Sequence, residues 1–94
     1  MTIIYKLFSK SHNSFYIGST TKTLRERLVK HRSKSNEAPN RKVYKCILES
    51  GGFSDWQMEA LEVFDANSSV ERRRREQFYI DTLKPDLNSC LAIV

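Results

Sequence analysis

The sequence predicts an α/β fold of the α+β type: a small three-stranded antiparallel sheet flanked by helices, in the order β-β-α-α-β-α. Three observations carry this. Two β-rich apolar runs near the N-terminus are joined by a polar segment. Two Ser/Thr-x-x-Glu boxes each open a long charged stretch. Between those stretches, a ten-residue run alternates apolar and polar positions.

The elements follow in order. TIIYKLF (Thr2–Phe8) is a strand, SKSHNS (Ser9–Ser14) a polar turn, and FYIGS (Phe15–Ser19) the returning strand of a hairpin. Gly18 closes this second strand, where a Cβ would obstruct either close backbone approach or a positive φ. Thr23-Leu24-Arg25-Glu26 is a capping box, and the helix runs through LRERLVKHRSK until SNEAPN (Ser35–Asn40) breaks it at Pro39. RKVYKCILES (Arg41–Ser50) sets Val43, Cys46 and Ile47 at helical spacing, and Gly51-Gly52 stops it. DWQMEALEVF (Asp55–Phe64) is the third strand, with apolar positions at Trp56, Met58 and Ala60 and then at Leu61 and Val63. Ser68-Ser69-Val70-Glu71 opens the longest helix, which Pro85 ends.

Ninety-four residues amount to one domain over 1–94, with ten aromatic side chains to fill a small core. Sixteen Lys and Arg against eleven Asp and Glu leave a net charge of +5, which favours a polyanionic partner, nucleic acid before membrane. Cys46, Cys90, His12 and His31 have no zinc-like spacing, so the cysteines are expected as free thiols in a reducing compartment. No signal-peptide core and no membrane-length apolar run occurs, so the expected location is soluble and intracellular.

Two helical stripes hold out-of-place charges. Leu24, Arg27, Leu28 and His31 fall at i, i+3, i+4, i+7, so a cation shares the face that leucines bury. Such an arginine either snorkels from the core edge or lines a site. Glu76, Tyr79, Ile80 and Leu83 repeat the pattern with a carboxylate, which is a structural acid, an ion-pair partner or a metal ligand. Phosphodiester hydrolysis needs a cation on the phosphate, a group to activate water and stabilisation of the leaving oxygen. Arg27, a tyrosine with its pKa lowered by a nearby cation, and a metal on Glu76 are candidates for these parts.

These blocks resemble the GIY-YIG nuclease superfamily over nearly the whole chain. The two tripeptides of its name stand as IIY (Ile3–Tyr5), with Ile3 in place of glycine, and YIG (Tyr16–Gly18). LRERLVKHR, VYKCILESGG and ERRRREQFYIDTLKPDLN resemble its later blocks. The resemblance implies Tyr5, Tyr16, Arg27, His31 and Glu76 as catalytic, with Tyr5 favoured as base. It also implies Gly18, Tyr44 and Asn88 as substrate-binding, and one Mg²⁺ or Mn²⁺ ion on Glu76. The implied activity is DNA cleavage leaving a 5′-phosphate. Specificity would come from DNA shape rather than base edges, and a homodimer or partner subunit would supply further recognition. The competing reading is an inactive nucleic-acid-binding module of the same fold.

Overall fold

A computed structural model describes residues 1–11 and 14–88. The expectations for His12, for Cys90 and for the end of the chain lie outside the described residues. Strands β1 (Thr2–Ser9), β2 (Phe15–Thr20) and β3 (Trp56–Phe64) form one antiparallel sheet in the order β2-β1-β3. Helices α1 (Leu24–Glu37), α2 (Lys42–Glu49) and α3 (Ser69–Leu83) complete the expected order, with a short 3₁₀ turn, Phe53–Asp55, ahead of β3.

The central strand β1 is covered on both faces, and so buries Ile4 and Tyr5 in succession. On one face Leu7 and Trp56 pack with Val43, Tyr44 and Ile47 of α2 and with Leu87, with Leu28 of α1 at the margin. On the other face Ile4 and Ile17 are buried, and α3 lies against β1 and β2. Ile3, the residue that departs from the glycine of the family name, pairs with Thr20 and Val63 as an ordinary strand residue.

The shift of apolar phase in the third strand has a physical cause. Tyr5 pairs with Ala60 but Ile4 pairs with Glu62, so Leu61 is the extra residue of a β-bulge. The bulge turns Glu62 toward α3, where its carboxylate accepts from Tyr79 Oη at 2.7 Å and pairs with Arg75 Nε at 3.1 Å.

Both capping boxes form. Thr23 Oγ1 accepts from the Glu26 amide, and Ser68 Oγ accepts from the Glu71 amide. Helix α1 runs three residues beyond the expected break. Its continuation buries Ser35, whose hydroxyl donates to the Arg32 carbonyl, and only Pro39 forces Ala38 out of the helical region. Leu83 is exposed, so the α3 stripe ends at Ile80, and no residue of α3 is fully buried. Cys46 is a half-buried free thiol. No helix among the described residues is long and apolar enough to cross a membrane.

Candidate active site

The two strands of the hairpin place Tyr5 opposite Gly18. The Tyr5 ring occupies the space a side chain at Gly18 would need: a Cβ there would lie 2.6 Å from Tyr5 Cζ. Gly18 has no positive φ, and β2 continues through it to Thr20. Of the two alternatives for Gly18, positive φ is excluded and close approach holds, made to a phenol ring rather than to backbone.

Helix α1 then delivers its buried stripe to that phenol. Arg27 Nε donates to Tyr5 Oη at 3.0 Å, and Tyr5 Oη lies 2.7 Å from His31 Nε2. His31 Nδ1 is 2.9 Å from Tyr44 Oη on α2. A guanidinium only donates, so the Tyr5 oxygen accepts from Arg27. The neutral imidazole carries one N–H and so donates on one side and accepts on the other: either Tyr5 donates to Nε2 and Nδ1–H donates to Tyr44, or Tyr44 donates to Nδ1 and Nε2–H donates to Tyr5. The His31 ring also meets Tyr5, Tyr16 and Tyr44 edge-on, each at a centroid distance of 5.8 Å, which holds its orientation.

The electrostatics correct one expectation. Burial raises the Tyr5 phenol well above the usual tyrosine range, with the Tyr16 phenol adding to it, and Arg27 only partly opposes this. The cation was expected to lower this phenol, but desolvation dominates because the ring is sealed inside the sheet–helix layer. Tyr16 is also raised, by burial and then by the Glu76 carboxylate. Burial, with Arg27 and Arg41 adding to it, pushes His31 down to about 3, so its ring is neutral at physiological pH.

Glu76 projects from α3, half-buried. Burial raises its pKa, while a hydrogen bond from Ser19 and the charges of Arg72, Arg27 and Arg73 oppose the rise. Its charge is felt by both Tyr5 and Tyr16, so it belongs to the same site. Among the described residues no group of three or more His, Cys, Asp or Glu side chains converges. The donor set is thus one carboxylate with hard oxygen. This fits Mg²⁺ or Mn²⁺, which complete their shells with water and phosphate oxygens, and does not fit a closed protein cage.

Tyr44 and Asn88 have structural tasks in this arrangement. Tyr44 is 1% exposed and hydrogen-bonds His31, with the Arg41 guanidinium over its ring. The Asn88 amide binds Ile17 at both ends, accepting from its N–H and donating to its carbonyl, each at 2.9 Å. Together with Asp86 Oδ1 on the Phe15 N–H and the Leu87 N–H on the Phe15 carbonyl, it covers the open edge of β2.

Beside Arg27 the structure opens a cleft of about 380 Å³ between the end of β2, α1 and Arg72 of α3. Lys22, Arg27, Lys30, Lys34 and Arg72 line it, against one carboxylate, Glu26. Sequence reasoning did not assign these lysines or Ser19. The signal for Lys30 and Lys34 was present, since they follow Arg27 at i+3 and i+7.

The fold is similar to the solved structure of the catalytic domain of the homing endonuclease I-TevI, at a TM-score of 0.68 and 22% identity, over 94% of each chain. No curated protein matches the chain. The model of the GIY-YIG catalytic domain, however, matches residues 1–89. The paired tyrosines, the arginine helix and the glutamate helix thus all fall inside one family's pattern, and the chain belongs to the GIY-YIG family of nuclease catalytic domains.

Proposed function

We propose that this domain is a divalent-metal-dependent DNA endonuclease that hydrolyses phosphodiester bonds. The observation that carries the reading is the Arg27–Tyr5–His31 chain, with a guanidinium and a neutral imidazole on the same phenol oxygen. Arg27 Nε is occupied by Tyr5, which leaves the terminal nitrogens to neutralise the non-bridging oxygens of a phosphate.

In this reading Tyr5 takes a proton from the attacking water, which has to reach a phenol that is fully buried in the free domain. With His31 in its Nδ1–H tautomer, the phenol's own proton passes to Nε2 as its oxygen receives the new one, and His31 keeps the Nδ1 proton on Tyr44. A raised phenol does not need to ionise in advance under this exchange. The negative charge of the bound phosphodiester offsets Arg27 and Arg41 and makes the imidazolium easier to form. The water oxygen bonds to phosphorus, and the 3′-oxygen leaves. Glu76, with Ser19 fixing its carboxylate, would hold the divalent ion, which when bound supplies charge neutralisation at the leaving oxygen. Tyr16 packs against the His31 ring, and burial and then the Glu76 carboxylate raise its phenol. Gly18, Tyr44 and Asn88 act as positioning residues in this reading.

The test is supercoiled plasmid with Mg²⁺, and again with EDTA. Nicked circles appearing before linear DNA, only with the metal, support the proposal. Binding without nicking under any divalent metal would favour the inactive-module reading.

A further inference from the structure

We infer that the cleft beside Arg27 is a track for the sugar–phosphate backbone, with Lys30 and Lys34 as the contacts to the phosphates flanking the scissile one. The inference rests on the nuclease reading for which phosphate is scissile, but the track itself is argued from geometry and charge.

Arg27, Lys30 and Lys34 lie within one narrow sector of α1, because residues three and seven apart return to nearly the same side of a helix. All three line one cleft, which Lys22 enters from the β2 end and Arg72 from α3. Arg25 and Arg32 on the same helix lie on the opposite side, and Arg32 is set over the Phe53 ring. The five cations of the cleft meet one carboxylate, Glu26, which also accepts from the Thr23 hydroxyl at the helix cap. This is not the pattern of a solvated helix, where charges of both signs are interspersed.

The dimensions fit one strand at its helical rise. Seven residues of helix advance about 10 Å, or about three nucleotide rises of 3.4 Å. With Arg27 at the reacting phosphate, Lys30 and Lys34 fall alongside the next two or three in one direction. A cleft of about 380 Å³ admits a single backbone and not a duplex, so the second strand would lie outside it. The partner class is therefore nucleic acid read by its phosphates, and α1 itself sets which way the strand runs from the site.

The experiment measures binding to a fluorescein-labelled mixed-sequence duplex of about three helical turns (~30 bp) in EDTA, over roughly 50 to 200 mM salt. Lys30→Ala/Lys34→Ala should weaken binding, and make the slope of log K against log [salt] less negative by about 1.8, at 0.9 per lost phosphate contact. Lys30→Arg/Lys34→Arg should restore the wild-type slope. Arg25→Ala/Arg32→Ala removes the same charge from the other side of the helix and should leave the slope unchanged. Equal losses in the two alanine pairs would overturn the track, because only net charge would then matter. An unchanged slope in the lysine pair would also overturn it. Because binding is read without metal, a protein that binds as described but never nicks would sink the endonuclease reading and leave the track standing.

Discussion

The Tyr5 ring lies in the space that a side chain on Gly18 would fill, with the two residues paired across the β1–β2 ladder. The Tyr5 phenol and the glycine of YIG are thus one packing unit. Gly18→Ala must displace a ring held by Arg27 and His31. Overpacking at such a site costs about 1–3 kcal/mol. We expect Gly18→Ala to lose stability on that scale in urea unfolding, and to lose nicking activity even at temperatures where it is fully folded. A variant that nicks at the wild-type rate would show that the ring has room to move.

In the proposed reaction Arg27 serves two partners at once, Tyr5 through Nε and the phosphate through its terminal nitrogens. Arg27→Ala should reduce the rate at least ~10²-fold, the scale for one preorganised electrostatic group. Arg27→Lys should be nearly as poor, since an ammonium cannot reach both partners in a fixed fork. Single-turnover rates at saturating DNA check this, and recovery of most activity by lysine would contradict the dual contact.

Glu76→Gln should abolish nicking yet remain folded and bind DNA. The sign of its pH effect follows from burial. A carboxyl raised above its ordinary 4.5 contributes stability that is fully present below that value and is lost as pH rises through the folded value. In its ionised form the half-buried acid is therefore a liability. Relative to wild type, Glu76→Gln should melt higher at pH 7 than it does at pH 4. Melting curves in metal-free buffer at the two pH values decide the matter.

His31 behaves in the opposite sense. Lowered from 6.5 to about 3, it contributes stability present above pH 6.5 and lost as pH falls toward 3. In the Nδ1–H tautomer that the proposed relay uses, Tyr44→Phe removes the acceptor for the Nδ1 proton and leaves a buried donor unpaired, a cost of about 1–3 kcal/mol. We expect slower nicking and a shift of the ring away from the Nδ1–H tautomer. Nitrogen-15 chemical shifts of the imidazole report that shift directly, and an unchanged tautomer would remove the positioning role from Tyr44.

Asn88→Ala should uncover the edge of β2. Two backbone hydrogen bonds at Ile17 are lost, with a cost again of about 1–3 kcal/mol. Amide exchange at Ile17 should accelerate more than at Leu7 on the central strand. Equal exchange at both sites would mean that the strand edge is held by Asp86 and Leu87 without the amide.

The parts legible in the sequence were those set locally. Thr23 with Glu26, and Ser68 with Glu71, declare their helix starts within four residues. The stripe of Leu24, Arg27, Leu28 and His31 declares its face by period alone. What was not legible depends on distant chain. The raised phenol of Tyr5 comes from burial beneath helices that local pattern does not position. The work of Asn88 at Ile17 joins residues 71 apart in sequence. The phase slip at Ala60–Leu61 was visible as pattern, but its meaning needed the pairing partner. The cleft escaped notice because Lys30 and Lys34 look like solvated charges until β2 and α3 close around them.

Helix α3 has no fully buried residue, and polar contacts help to fasten it: Glu62 to Arg75 and Tyr79, and Glu76 to Ser19. These contacts weaken in salt and contribute little cooperativity to the core. The carboxylate assigned to the metal therefore rides on a helix with no fully buried residue, which nonetheless covers the fully buried Ile4 and Ile17 of the sheet. Displacing Glu76 by lifting α3 would uncover those two side chains, so loss of the metal ligand and the first opening of the core would be one event.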